Sequence, residues 1–225
     1  MKWPRVRFAE LFRVKHGYAF KSQFFDSSGP YVLLTPGNFH EEGGFRDQGE
    51  KQKYYTGDVP EGFILSEGDL LIAMTEQAEG LLGSSAWIPE SNRYLHNQRL
   101  GLVVDLDESR LDKRCLYYLF NTADVRHQIA ASASGTKVRH TAPERISRVG
   151  VNLPPVSSQR KIAEANSRGT TSRATWCSTI RSFIACCVRA CRSATATTSA
   201  SFSTPTLTPW TFAMPPTIAS WPCAS

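Results

Sequence analysis

The chain has 225 residues, 20% of them charged, and a formal net charge of +6. That length accommodates one sizeable domain with a buried core, or one domain plus an appendage. The charge points only weakly to a polyanionic partner, because residues 1–164 hold 21 Lys and Arg against all 20 acidic residues, while 165–225 hold five Arg and no Lys, Asp or Glu. Residues 1–5 have no apolar run behind them and do not read as a secretory signal. The longest apolar stretch of the tail, 183–188, is far too short to span a bilayer. A cytoplasmic protein with no membrane partner is expected.

In chain order, residues 7–15 read as a short helix with Phe8, Leu11 and Phe12 on one face, ended by Gly17. Residues 30–34 form a strand stopped by Thr35-Pro36-Gly37-Asn38. The polar, Gly-rich stretch 41–56 reads as a loop or mobile hairpin, with Tyr54 and Tyr55 at the surface. Gly68-Asp69 turns the chain into a buried strand over 70–74, and a further strand covers 84–88. Residues 98–106 are a strand with Leu100, Leu102 and Val104 on one face. A helix over 111–121 places Leu111, Cys115, Tyr118 and Leu119 at core spacing. Asp124 is positioned to cap a second helix running through Ile129. Residues 135–139 turn into an extended piece, and Pro143 opens a helical turn. A strand over 149–153 ends at Pro154-Pro155, after which Ser157 or Ser158 caps a helix containing Gln159 to Glu164. Strands and helices mix without regular βαβ alternation, so the class is α+β.

After Glu164 the periodicity stops. Ser and Thr supply 22 of the next 61 residues, yet Trp176, Trp210 and Trp221 occur among them. Loss of Lys, Asp and Glu at one point is unlike ordinary disorder, which is rich in Glu and Lys. It suggests translation in a shifted reading frame; a native Ser/Thr-rich tail is the alternative. Five of the six cysteines lie in this tail and Cys115 alone in the body. Cys186, Cys187 and Cys191 are crowded but lack the paired spacing and nearby His of a zinc site, so no metal is expected.

No catalytic constellation stands out. GxxxxGK[ST], GxSxG and HExxH are absent. Asn152-Leu153-Pro154-Pro155 departs from the Asn-Pro-Pro-aromatic motif of amino-methyltransferases by the inserted Leu153 and by Val156 in place of the aromatic ring. Gln52 follows Glu50 by two, where a metal-dependent nuclease needs Lys. Asp105 and Asp107, at a strand end, read as solvated carboxylates.

What remains is a series of short phrases. Gly17-Tyr18-Ala19-Phe20-Lys21-Ser22 comes first, then Leu34-Thr35-Pro36-Gly37-Asn38-Phe39, Gly68-Asp69-Leu70-Leu71-Ile72-Ala73-Met74-Thr75 and Leu82-Gly83-Ser84. Tyr94-Leu95-His96-Asn97-Gln98-Arg99-Leu100 and Gly135-Thr136-Lys137-Val138-Arg139-His140 follow. Leu153-Pro154-Pro155, with its Gln159-Arg160-Lys161-Ile162 helix, ends the set. In this order the phrases resemble the target-recognition domain of type I restriction–modification specificity subunits, over about residues 3–164. The resemblance implies a non-catalytic, DNA-reading subunit that takes no cofactor of its own. Its partners would be double-stranded DNA, methyltransferase (modification) subunits and, through them, restriction subunits. Family members carry two such domains separated by long helices, each reading half of a split target. On this reading 1–154 is the recognition domain, 155–164 begins the spacer helix, and 165–225 is an atypical tail. The alternatives are an inactive gene fragment and a half subunit that forms a homodimer.

Phosphate contacts need Lys, Arg or backbone N–H groups, and base edges in the major groove are read by Arg, Lys, Asn and Gln. The polar loops offer these at Lys21 and Ser22, Asn38, Thr75 and Gln77, Asn97, Gln98 and Arg99, and Thr136, Lys137, Arg139 and His140. The 135–140 segment is the strongest of them, because three cationic or potentially cationic groups follow a Gly turn. Asn97 and Gln98 also fit a simpler role, satisfying buried backbone groups. Phe20, Phe24 and Phe25 read as core.

Overall fold

The computed structural model describes residues 3–77 and 79–168. Twelve short strands and four helices follow one another: β1 (Arg5–Arg7), β2 (Arg13–His16), β3 (Phe25–Asp26), β4 (Tyr31–Leu33), β5 (Tyr54–Tyr55), β6 (Leu70–Ala73), β7 (Thr75–Glu76), β8 (Ser85–Trp87), β9 (Tyr94–Leu95), β10 (Leu100–Val104), α1 (Lys113–Phe120), α2 (Ala123–Ser132), β11 (Arg139–His140), α3 (Pro143–Ser147), β12 (Gly150–Asn152) and α4 (Val156–Arg168). The class is α+β. The composition shift after Glu164 falls, beyond Arg168, outside the described residues, as do the five tail cysteines.

The central sheet has the order β2-β10-β6-β8, antiparallel throughout. Its strand β6 is apolar at every position because both faces are covered. Leu70, Ile72 and, just beyond the strand, Met74 face one core with Val103, Leu116, Phe120, Val125 and Ile129. Leu71 and Ala73 face another with Val32, Leu34, Phe39, Ala86, Ile88 and Leu100. Successive side chains alternate faces, so one run of residues joins two cores. A second sheet, β3-β5-β4-β9, contains the parallel pair β4–β9. Two-stranded ribbons β1–β12 and β7–β11 complete the ladder.

Several local expectations change. The helix expected over 7–15 is two strands around a 3₁₀ turn, Phe8–Glu10. Phe8, Leu11 and Phe12 still bury together, but Val6 and Val14 sit in strands paired to β12 and β10. Long-range pairing outweighs the helical spacing of so short a run. The second helix is capped by Thr122, whose hydroxyl accepts from Val125 N at 3.4 Å, and Asp124 lies in its first turn. Its predecessor is capped by Asp112, accepting from Arg114 N and Cys115 N at 3.0 and 3.1 Å. That helix buries Cys115, Leu116 and Phe120, leaving Tyr118 and Leu119 half-buried. The last helix starts at Val156, ahead of the expected Ser caps, with Ser158 N and Gln159 N donating to Pro155 O at 2.9 and 3.1 Å. Tyr55, expected at the surface, is 3% exposed because β5 is an inner strand of its sheet, packed with Phe20, Leu33 and Leu95.

Candidate nucleic-acid interface

An open cleft of about 830 Å³ lies among the 35–48 segment, Lys53, Thr75, Gln77, Leu81 and Arg99. Three permanent cations line it, Arg46, Lys53 and Arg99. All three are exposed, and among the described residues none has an ion-pair partner. Glu41 and Glu42 line it as well. Gln48 and Gln77 add amides able both to donate and to accept.

The 35–52 wall is fixed from within by Asn38, which is fully buried. Its Oδ1 accepts from Thr35 N and Gln48 Nε2, both at 2.9 Å, and its Nδ2 donates to Gln52 Oε1 at 3.1 Å and to Arg46 O at 3.3 Å. The stretch 41–56, expected to be a loop or mobile hairpin, is tied into this wall, with Phe39 bridged antiparallel to Phe45 across a tight turn. Asn38, expected to contact a base, is fully buried here with its amide engaged inside the protein. Arg126, from α2, joins this wall to the 79–82 turn by donating to Glu41 O at 2.7 Å and to Gly80 O.

The 79–82 turn is closed by Glu76. This side chain is 3% exposed, and its Oε2 accepts from Gly80 N, Leu81 N and Leu82 N at 3.1, 3.0 and 2.8 Å. Its other oxygen pairs with Arg139 Nη1 at 3.2 Å, and Arg139 Nη2 donates to Ala130 O at 2.5 Å. Arg139 was expected to face DNA. Its charge instead neutralises a buried carboxylate, which would otherwise be too costly to bury.

The 97–99 segment is held by uncharged groups. His96 is fully buried, and its Nε2–H donates to Leu100 O at 3.0 Å. Burial pushes its pKa down to about 4, so the ring is neutral near pH 7, with its proton on Nε2. Gly17 lies so close to Asn97 that a Cβ there would collide with the Asn97 carbonyl, which is why the parallel bridge between Tyr18 and Asn97 requires glycine before it. Asn97 Oδ1 accepts from Arg99 N at 3.2 Å, and Gln98 and Arg99 are left exposed.

The structure therefore brings Thr75, Gln77 and Arg99 to one cleft. His140 Nδ1 lies 3.1 Å from Thr75 Oγ1 in the β7–β11 ribbon, and Thr136 and Lys137 are exposed on the turn leading into that ribbon. Lys21 and Ser22 are exposed at a 3₁₀ turn beside β3 and do not line the cleft. Arg46 and Lys53 were missed by sequence reasoning. The available signal was a pair of cations in the Gly-rich stretch 41–56, but only the fold shows that this stretch meets Arg99. Among the described residues, no three His, Cys, Asp or Glu side chains form a group able to hold a metal ion, and no helix is long and apolar enough to cross a membrane.

Residues 1–168 match the family model described as the type I restriction modification DNA specificity domain. The chain is 27% identical over 164 residues to the type I restriction enzyme EcoBI specificity subunit of Escherichia coli, covering 72% of this chain and 31% of that protein. Its fold is similar to the S subunit of a type I restriction–modification system from M. genitalium, with TM-score 0.52, 16% identity and coverage of 73% of this chain and 38% of the other. A chain from a type I system solved for its complex assembly and conformational transition matches with TM-score 0.53 and 16% identity, over 84% of this chain and 40% of that one. The chain thus spans about a third of the length of the curated relative it matches.

Proposed function

Because the chain belongs to the type I restriction modification DNA specificity domain family, we propose that it reads a DNA sequence as a non-catalytic specificity subunit, contributing one recognition domain. The observation that carries this reading is the cleft in which unpaired Arg46, Lys53 and Arg99 meet the amide of Gln77. Unpaired cations attract phosphates of any sequence, and an amide can discriminate base edges. Lys137 and Thr136, on the adjoining turn, extend the cationic surface. Lys21, Ser22 and Gln98 are further exposed candidate contacts outside the cleft. Residues 1–154 are the recognition unit, and α4 begins the spacer.

On this reading the described domain reads one half of a split target. Methyltransferase and restriction subunits are the partners that complete such a system, and the cytoplasm is where they would meet DNA. Binding of the full chain to a randomised 30-base-pair duplex pool, followed at increasing salt, tests the reading. Salt-dependent binding and enrichment of a short motif are expected. Absence of both, in folded protein, overturns it.

A further inference from the structure

The cleft holds two kinds of group, and they are secured differently. Arg46, Lys53 and Arg99 are long, exposed and unpaired, so they can follow a phosphate over several ångströms. Gln77 is short by comparison and stands at the start of a turn whose far end is clamped. A discriminating hydrogen bond to a base edge demands a fixed donor and acceptor, whereas a phosphate contact does not. The clamp is unusually complete for a surface turn. A single carboxylate oxygen takes Gly80, Leu81 and Leu82 N–H groups at 3.1, 3.0 and 2.8 Å, and the other oxygen takes Arg139. Arg139 is itself fixed to the last turns of α2 through Ala130 O, and Arg126 of the same helix holds Gly80 O. The turn is thereby referred to the rigid helix α2 at both the carboxylate and the carbonyl.

We propose that Glu76 is a specificity-setting positioning residue: buried beneath the cleft, it fixes the Gln77 turn against α2 through Arg139, so that Gln77 reads base edges from one place. This rests on the DNA-reading role proposed above. Glu76 touches no DNA; it acts through the residue beside it. Arg139, which looks in sequence like a contact, is the second half of this device. Removing a buried negative charge leaves electrostatic attraction for the duplex undiminished. Losing the clamp should therefore separate target choice from affinity.

The test uses the full chain and the randomised 30-base-pair pool, with wild type, Glu76→Gln, Arg139→Gln and Gln77→Ala compared by enrichment sequencing, salt titration and thermal melting. Gln77→Ala marks the target positions that depend on this amide. Glu76→Gln is expected to relax those same positions by about tenfold, with the slope of log affinity against log salt unchanged. Arg139→Gln, which leaves the three amide bonds in place, is expected to relax them less. The proposal is overturned if Glu76→Gln leaves the motif intact, if it relaxes other positions, or if it weakens all duplexes alike in step with its melting temperature. Should Glu76→Gln fail to fold, Arg139→Gln carries the test, and an unchanged motif in that variant overturns the proposal. A wild-type chain that binds no duplex fails the underlying reading instead, and the positioning role falls with it.

Discussion

Two short segments, 97–99 and 137–140, look alike in sequence, each offering amide, hydroxyl or ring groups beside an arginine. In the fold they are opposites. The first is secured by neutral contacts, a buried His96 bonded to Leu100 O at 3.0 Å and the backbone approach of Gly17, and so its Arg99 is left exposed and unpaired. The second is secured by its ribbon pairing and also by its own charge, with Arg139 pinned between Glu76 and Ala130 O. A cation is available to a partner only when something else holds its loop in place. Counting basic residues therefore misjudges which loop can bind.

The largest test of this contrast is Gly17→Ala. An added Cβ would fall onto the Asn97 carbonyl and 2.8 Å from Gln98 N, and the obstacle is backbone that cannot swing aside. Loss of about 3 kcal/mol or more is expected, at the upper end of overpacking costs, measured by urea unfolding. A cost under about 1 kcal/mol would mean the segment tolerates displacement and is not rigidly held.

Acid should act nearly as strongly on the same segment. His96 has a folded pKa of about 4 against an ordinary 6.5. Between those values the unfolded chain binds the proton and the folded one does not, so stability falls as pH drops from about 6.5 to about 4 and levels off below. The difference corresponds to about 3 kcal/mol. Comparing unfolding of wild type and His96→Gln across this window isolates it. Equal pH slopes in the two proteins would show that the ring protonates freely in the fold.

For the charge-held segment, Arg139→Ala is expected to cost about 2 kcal/mol. This is less than the 3–5 kcal/mol for breaking a fully buried pair, because the arginine side chain is 32% exposed while Glu76 is 3% exposed. A stability change within about 0.5 kcal/mol, the level of ordinary surface substitutions, would return Arg139 to the pool of free cations.

How far the sequence reveals this follows from where the information lies. The runs at 70–74 and 84–88 were legible because continuous apolar stretches between turn residues have few other uses. The helix at 113–120 was legible from its spacing, and Pro143 from its preference for helix starts. The 7–15 region misled because a single 3₁₀ turn, Phe8–Glu10, copies helical spacing over one turn. At the candidate site, the polar residues Thr75, Gln77 and Arg99 singled out in the sequence line one cleft in the fold. The internal engagement of Asn38 and Arg139 was not legible for one shared reason: their partners, Gln48, Gln52 and Glu76, are 10, 14 and 63 residues away. Nothing local shows that an amide or a guanidinium is already engaged. Arg46 and Lys53 were missed for the converse reason, being ordinary loop cations until the fold sets them beside Arg99.

The smallest stability effect, and the sharpest contrast, belongs to Arg99→Ala. The side chain is exposed and holds no ion pair among the described residues, so its removal should change stability by less than about 0.5 kcal/mol. Its backbone contacts, Arg99 N to Asn97 Oδ1 at 3.2 Å and Met74 N to Arg99 O at 2.9 Å, survive substitution. If Arg99 neutralises a phosphate, affinity for every duplex falls together and the salt slope shrinks by about one unit. If it reads a base, the slope changes little and one target position relaxes. Paired measurements on Arg99→Ala and Arg139→Ala then give a double dissociation, with binding lost without stability in the first and stability lost in the second. The contrast between neutral and charged anchoring fails if Arg99→Ala destabilises the fold as much as Arg139→Ala does, because Arg99 would then be part of the anchor it is held to be free of.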